Sequence, residues 1–198
     1  MHVLQVLLSA AILIAGINAA PCENPPFVVA GWKGPGTYGI RNVQAGTSVD
    51  LFQGQTNIVG WHTDPTSQNQ KWIIISVNSA ANTWAILNNG THGAITYNGW
   101  NKQTTAQPFN TNNLAQQWTI EELVTGGPVF FHSAASPNDV LDLSYGSADN
   151  GTPIVAYTKT GRENQQWLLD FLSSSTRSNN GPPRTKNDQI SLTINVGL

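Results

Sequence analysis

Gln70-Lys71-Trp72, Gln116-Gln117-Trp118 and Gln165-Gln166-Trp167 punctuate this chain at near-even intervals. A motif that recurs every 20 to 50 residues or so marks units that cannot bury their apolar faces alone and close one core by packing together. The chain is therefore read as a threefold repeat, with units at about 27–79, 80–125 and 126–172.

Upstream of each triplet the same short segments recur in the same order. Tyr38-Gly39-Ile40-Arg41-Asn42, Trp84-Ala85-Ile86-Leu87-Asn88 and, more loosely, Val129-Phe130-Phe131-His132-Ser133 alternate with the period of two that a half-buried strand needs. About eight residues on come Ser48-Val49-Asp50-Leu51, Ala94-Ile95-Thr96-Tyr97 and Val140-Leu141-Asp142-Leu143, preceded by the turn formers Gly46, Gly93 and Pro137-Asn138. Third strands follow at Ile58-Val59-Gly60-Trp61 and Ile154-Val155-Ala156-Tyr157, two β-branched residues, a small one and an aromatic, while the middle unit offers Ala106-Gln107-Pro108-Phe109. The triplet then opens a fourth strand, over 72–77, 118–122 and 167–171. Twelve short strands with no helical periodicity between them predict an all-β fold.

The 198 residues suffice for one domain, and a domain of about 150 residues buries roughly 70% of its unfolded surface without staples. Charged residues make up 10% of the chain and the net charge is −2, so the basic footprint of a nucleic-acid binder is missing. Polarity comes instead from Asn, Gln, Ser, Thr and Gly beside seven Trp, which together offer neutral hydrogen bonds and flat apolar faces.

Residues 3–17 form an apolar run broken only by Gln5 and Ser9, too short for a bilayer core of about 30 Å, and the run leads to Ala19-Ala20. Residues 1–20 are read as a signal peptide, although Met1-His2 lacks the usual Lys or Arg and Pro21 blurs the cut. The expected product is secreted, with no membrane insertion. Cys22 has no intrachain partner and is read as an unpaired thiol in preference to an intermolecular disulfide.

The four His, at 2, 62, 92 and 132, lack metal-ligand spacing, so neither a metal nor another cofactor is expected. Glu121 and Glu122 are strand neighbours pointing to opposite faces, which argues against an acid and base pair. With no nucleophile elbow, Cys-His signature or phosphate loop, the chain is expected to be non-catalytic. Asn89-Gly90-Thr91 and Asn150-Gly151-Thr152 are glycosylation sequons. From Ser173 the composition turns Ser, Asn, Gly and Pro rich, so 173–198 is read as a linker or disordered tail, in which 189–196 alternates enough for one strand.

These features resemble the ricin B-type lectin family, whose β-trefoil fold carries Gln-x-Trp in each of three subdomains. The likeness covers roughly residues 27–172 and is greatest to small secreted fungal members, since the disulfides usual in plant relatives cannot form here. The resemblance implies that Trp72, Trp118 and Trp167 build a core around a pseudo-threefold axis, each ring burying on the order of 150–250 Å², while each Gln ties the fourth strand to a neighbouring backbone.

Binding must then come from positions where the repeats differ. A neutral sugar needs an acceptor for paired hydroxyls, an aromatic face for its C–H side, and amides that fix which hydroxyl is axial. The family pattern places Asp142 on two hydroxyls and Tyr157 on the ring, with Asn164 and Gln165 completing the hydrogen bonds. The first unit repeats the set as Asp50, Trp61, Asn69 and Gln70. Eleven positions separate its Asp from its aromatic against fifteen in the third unit, so a narrower site is expected there. The middle unit has Thr96 in place of the Asp and Ala115 in place of the Asn, and Phe109 alone holds no sugar. The competing reading makes Asp50 and Asp142 turn stabilisers and the two aromatics packing residues. The function expected is a lectin for galactose or N-acetylgalactosamine-type glycans on glycoproteins or glycolipids, as a monomer or a homodimer. A carbohydrate-binding module of a larger glycan-acting enzyme and a β-trefoil protease inhibitor are the alternatives.

Overall fold

The computed structural model describes residues 31–174. The expected signal peptide, Cys22 and all of the tail past Ser174 lie outside the described residues.

Runs of β-branched and aromatic residues at alternate positions become strands wherever one of their faces reaches the shared core. The first repeat contributes β1 (Gly36–Asn42), β2 (Ser48–Leu51), β3 (Ile58–Trp61) and β4 (Trp72–Asn78). The second contributes β5 (Thr83–Asn88), β6 (Ala94–Thr96), β7 (Lys102–Gln103), β8 (Thr105–Gln107) and β9 (Trp118–Glu122). The third contributes β10 (Val129–Ser133), β11 (Ser136–Leu143), β12 (Thr152–Thr158) and β13 (Trp167–Ser174). First and fourth strands pair antiparallel in a closed ring: β1 with β4, β4 with β5, β5 with β9, β9 with β10, β10 with β13, and β13 back to β1. Closure removes the edges that would otherwise invite aggregation. The second and third strands form three hairpins on this barrel, and the hairpins touch one another where β12 pairs with β3 and β7 and Asn57 bridges Thr105. The fold is a β-trefoil.

Two details differ from the sequence reading. The third strand of the middle repeat is divided, β7 pairing with β12 and β8 with β6, and it ends before Pro108, which has no N–H to give a ladder. At the other end β13 runs past Phe171, and Ser173 and Ser174 pair with Thr37 and Gly36 instead of opening a linker.

Trp72, Trp118 and Trp167 are fully buried at the centre, packed with Tyr38, Ile40, Phe131 and other apolar side chains. Their indole N–H groups donate to the carbonyls of Val49, Ile95 and Leu141, at 2.9, 3.0 and 3.1 Å. Each of those carbonyls lies one residue before Asp50, Thr96 or Asp142. The core thereby pins the second strand of every repeat next to its candidate ligand position.

The Gln of each triplet ends a single 3-10 turn, over Gln68–Gln70, Leu114–Gln116 and Glu163–Gln165, and the strand starts at the Trp. Residues 42, 88 and 133 end the three first strands. Asn42 donates to the carbonyls of Asn164 and Gln166, and Asn88 to those of Gln68 and Asn69, so each grips the triplet turn of the preceding unit around the axis. Arg41 and the buried Asp170 form a two-point ion pair between β1 and β13, tying the first repeat to the last.

Candidate functional site

The carboxylates on the second strands are positioned by the buried glutamines behind them. Gln165 Nε2 donates to Asp142 Oδ2 at 2.8 Å and to the Thr158 carbonyl at 3.0 Å, while its Oε1 accepts from the backbone N–H groups of Thr160 and Gly161. Gln70 does the same for Asp50 at 3.0 Å, the His62 carbonyl at 2.9 Å and the Asp64 N–H at 2.8 Å. Both amides have their hydrogens committed within the protein. Gln165 is entirely buried and Gln70 nearly so. These two residues, expected among the sugar contacts, therefore stand behind the carboxylates and aim them.

In the third repeat Asn164 adds a bond from Nδ2 to Asp142 Oδ1, at 2.9 Å, and another to the Leu143 carbonyl at 3.2 Å. Each carboxylate oxygen thus accepts one amide hydrogen and keeps a lone pair for a hydroxyl. Asp142 pairs across the hairpin with Val155, and Tyr157 lies two residues further along β12 on the same face. Asp142, Val155, Tyr157 and Asn164 line one cleft of about 450 Å³, within the usual range of small-ligand sites of roughly 300–1,000 Å³. Burial pushes the Asp142 carboxyl above the ordinary aspartate range, and the bonds from Gln165 and Asn164 pull it part of the way back.

The first repeat keeps the same register, Asp50 opposite Val59 and Trp61 two residues on. The four missing residues come out of the turn, and the pairing is unchanged. Among the described residues Asp50 accepts a side-chain bond from Gln70 alone, with no counterpart of the Asn164 bond from Asn69. Trp61 leans on Phe52, with ring centroids 5.9 Å apart, and on His62, and Asn150 of the third repeat bonds to both the N–H and the ring of His62. Burial raises the Asp50 carboxyl as well, against the bond from Gln70.

The middle repeat lacks more than its carboxylate. Thr96 pairs with Thr105, which places Gln107 at the position of Trp61 and Tyr157. Phe109, aligned there from sequence, lies beyond the strand and packs on a separate cluster of Ile75, Ala85, Leu87 and Ala94. The Thr96 hydroxyl takes over the structural half of the Asp role by accepting from Gln116 Nε2 at 3.2 Å.

Residues from other repeats complete the third cleft. Gln44 comes from the first repeat and Asn101 from the middle one, whose N–H donates to the Ala156 carbonyl at 2.7 Å. Beside it Trp100, 54% exposed, packs on Tyr157 with centroids 5.2 Å apart and donates from Nε1 to the Thr158 hydroxyl. Tyr145 also borders the cleft. The one hint of this in the sequence is that Trp100 and Tyr145 are aromatics in turns, outside every strand pattern.

The family model described as "Ricin-type beta-trefoil lectin domain-like" matches the chain three times, at residues 24–110, 68–157 and 114–181. The chain belongs to that family. The main hemagglutinin component type C of Clostridium botulinum C phage is 29% identical over 108 residues, which is 54% of this chain and 37% of the hemagglutinin. The match thus spans little more than a third of that curated relative. Two solved structures share the trefoil at 24% identity. The Rhizoctonia solani agglutinin has a TM-score of 0.61 over 71% of this chain and 98% of its own. The Macrolepiota procera ricin B-like lectin, solved in complex with lactose, has a TM-score of 0.59 over 71% of this chain and 99% of its own.

Proposed function

We propose that this ricin-type domain is a secreted, non-catalytic lectin that binds galactose or N-acetylgalactosamine-terminated glycans. The third repeat supplies the principal site and the first repeat a second one. The observation that carries this reading is the convergence of Asp142, Asn164 and Tyr157 on one cleft, with the carboxylate fixed from behind and its front lone pairs free. An equatorial and an axial hydroxyl on adjacent ring carbons offer two hydrogens to one carboxylate, and the apolar face of galactose suits the phenol of Tyr157. Two separated sites on a rigid barrel strengthen attachment to clustered glycans through effective concentration, with weak binding at each site alone.

Retention on immobilised galactose is the direct test. The protein is expected to be held and to elute with lactose, whereas passage without delay would refute the reading, and passage together with inhibition of a protease would favour the inhibitor alternative.

Acid is expected to weaken the binding through Asp142 without that carboxyl weakening the fold. The raised Asp142 carboxyl takes up its proton at a higher pH than an ordinary aspartate and then accepts one hydroxyl less well. A carboxyl that holds its proton more tightly when folded than when unfolded favours the folded state as pH falls, so this group contributes no acid destabilisation. Retention on galactose, followed from neutral pH downward, is expected to decline in the parent protein. Any fall in melting temperature measured in parallel is expected to be the same in Asp142→Thr, because it comes from groups such as Glu121, whose carboxyl is lowered by Lys159 and His132 and gives up stability as pH falls.

A further inference from the structure

The position just ahead of each triplet turn breaks the threefold pattern in a way the galactose reading does not use. Ser67 and Asn113 occupy it in the first two repeats, and their side chains cap the turn by accepting from the N–H groups of Asn69 and Ala115. The third repeat has Arg162, which makes no capping bond. Arginine has no acceptor and cannot cap, so local stability is given up there for a cation. Among the described residues its guanidinium enters no salt bridge, and it is the one cation lining the Asp142 cleft.

A second departure lies beside it. The backbone of the hairpin after the second strand is left-handed in both outer repeats, at Gln53 (φ 52°) and Tyr145 (φ 56°). Where the first repeat has a glutamine, the third has a tyrosine that is 100% exposed on the rim of the same cleft. A left-handed conformation is costly for a bulky side chain, and such strain concentrates at ligand contacts. Gln44 of the first repeat buttresses the turn by meeting the Gly146 carbonyl at 3.5 Å. The cleft is therefore extended by an aromatic face and an uncommitted guanidinium, neither of which galactose held on Asp142 requires.

We propose that the third-repeat cleft selects anionic galactosides: a galactose seated on Asp142 that carries a sulfate ester, or a neighbouring sugar with a carboxylate, whose anionic oxygens pair with Arg162 while Tyr145 covers the adjoining ring. The guanidinium fork matches both groups. This proposal rests on the galactose reading and adds the class of glycan.

The test measures the affinity of the whole secreted protein for lactose, sulfated lactose and sialylated lactose, the latter two in three-linked and six-linked forms. An Asp50→Thr background keeps the first repeat from contributing. At least one anionic form is expected to bind about tenfold more tightly than lactose at low salt, as charge-assisted hydrogen bonds predict, with the advantage shrinking as salt is added. Whether the sulfated or the sialylated arm gains identifies the source of the anion. In Arg162→Ser, which restores the residue of the first repeat, the ratio of anionic to neutral affinity is expected to fall to about one. Equal affinities in the parent protein, or a preference that survives Arg162→Ser, would overturn the proposal while leaving the galactose reading intact. Failure to bind any of the sugars would overturn both.

Discussion

Trp118→Ala is expected to cost about 3–5 kcal/mol, among the largest single-residue losses this barrel can show. The ring is wholly buried where the three repeats meet, so its removal leaves a void that neighbours on three sides cannot collapse into. The change also strips the Ile95 carbonyl of its donor. With total stability for a domain of this kind on the order of 5–15 kcal/mol, the loss is a large share of the whole. The melting temperature should fall by roughly 10 °C, at 2–4 °C per kcal/mol for a domain of this size. Trp118 belongs to the repeat whose second strand has Thr96 in place of the Asp, so any loss of sugar binding should follow unfolding alone. Trp118→Phe keeps most of the ring and should recover most of the stability. An unchanged melting temperature in Trp118→Ala would mean that the core does not depend on the triplet.

Asp142→Thr should abolish binding at the third repeat and leave the fold standing. The substitution copies what the middle repeat already does, in which the Thr96 hydroxyl accepts from Gln116, so Gln165 keeps a partner in place of Asp142 Oδ2. The front acceptors for two sugar hydroxyls are lost. Hydrogen bonds to a charged group contribute about 1.5–3 kcal/mol each, so two of them amount to about 3 kcal/mol or more, a hundredfold or greater drop in affinity. Asp50→Thr tests the first repeat by the same logic. The double variant should pass through immobilised galactose without delay, and each single variant should lose more on a dense glycan surface than against free sugar, because it gives up the second attachment. Full retention by a folded double variant would move the binding site away from both carboxylates.

Much of the architecture was legible because trefoil symmetry writes it three times. The alternation in Tyr38 to Asn42 and its two counterparts marks the barrel strands, and the triplets mark where each unit closes. The differences have local causes. Phe109 was aligned with Trp61 and Tyr157 because it is aromatic, yet β8 stops before Pro108 and hydrogen-bond register puts Gln107 there. Gln70 and Gln165 stand beside the site residues in sequence, but the 3-10 turn ahead of each Trp rotates them inward, where burial leaves their amides only protein partners.

What the linear chain determined by itself is the triplicate all-β scaffold and which side chains carry the chemistry the proposed sugar site needs, because period, alternation and side-chain chemistry are properties of single segments. What only the tertiary structure decided is which of those residues face outward and which others join them. Gln44 and Asn101 reach the third cleft from the other two repeats, with Trp100 packed on Tyr157, and Arg162 and Tyr145 border it through turns whose backbone no strand pattern describes. The physical reason is that the cleft forms where separate hairpins converge on the barrel, so its membership depends on closure of the ring and on pairing between hairpins, and that information exists only once the three units have packed against their common tryptophans.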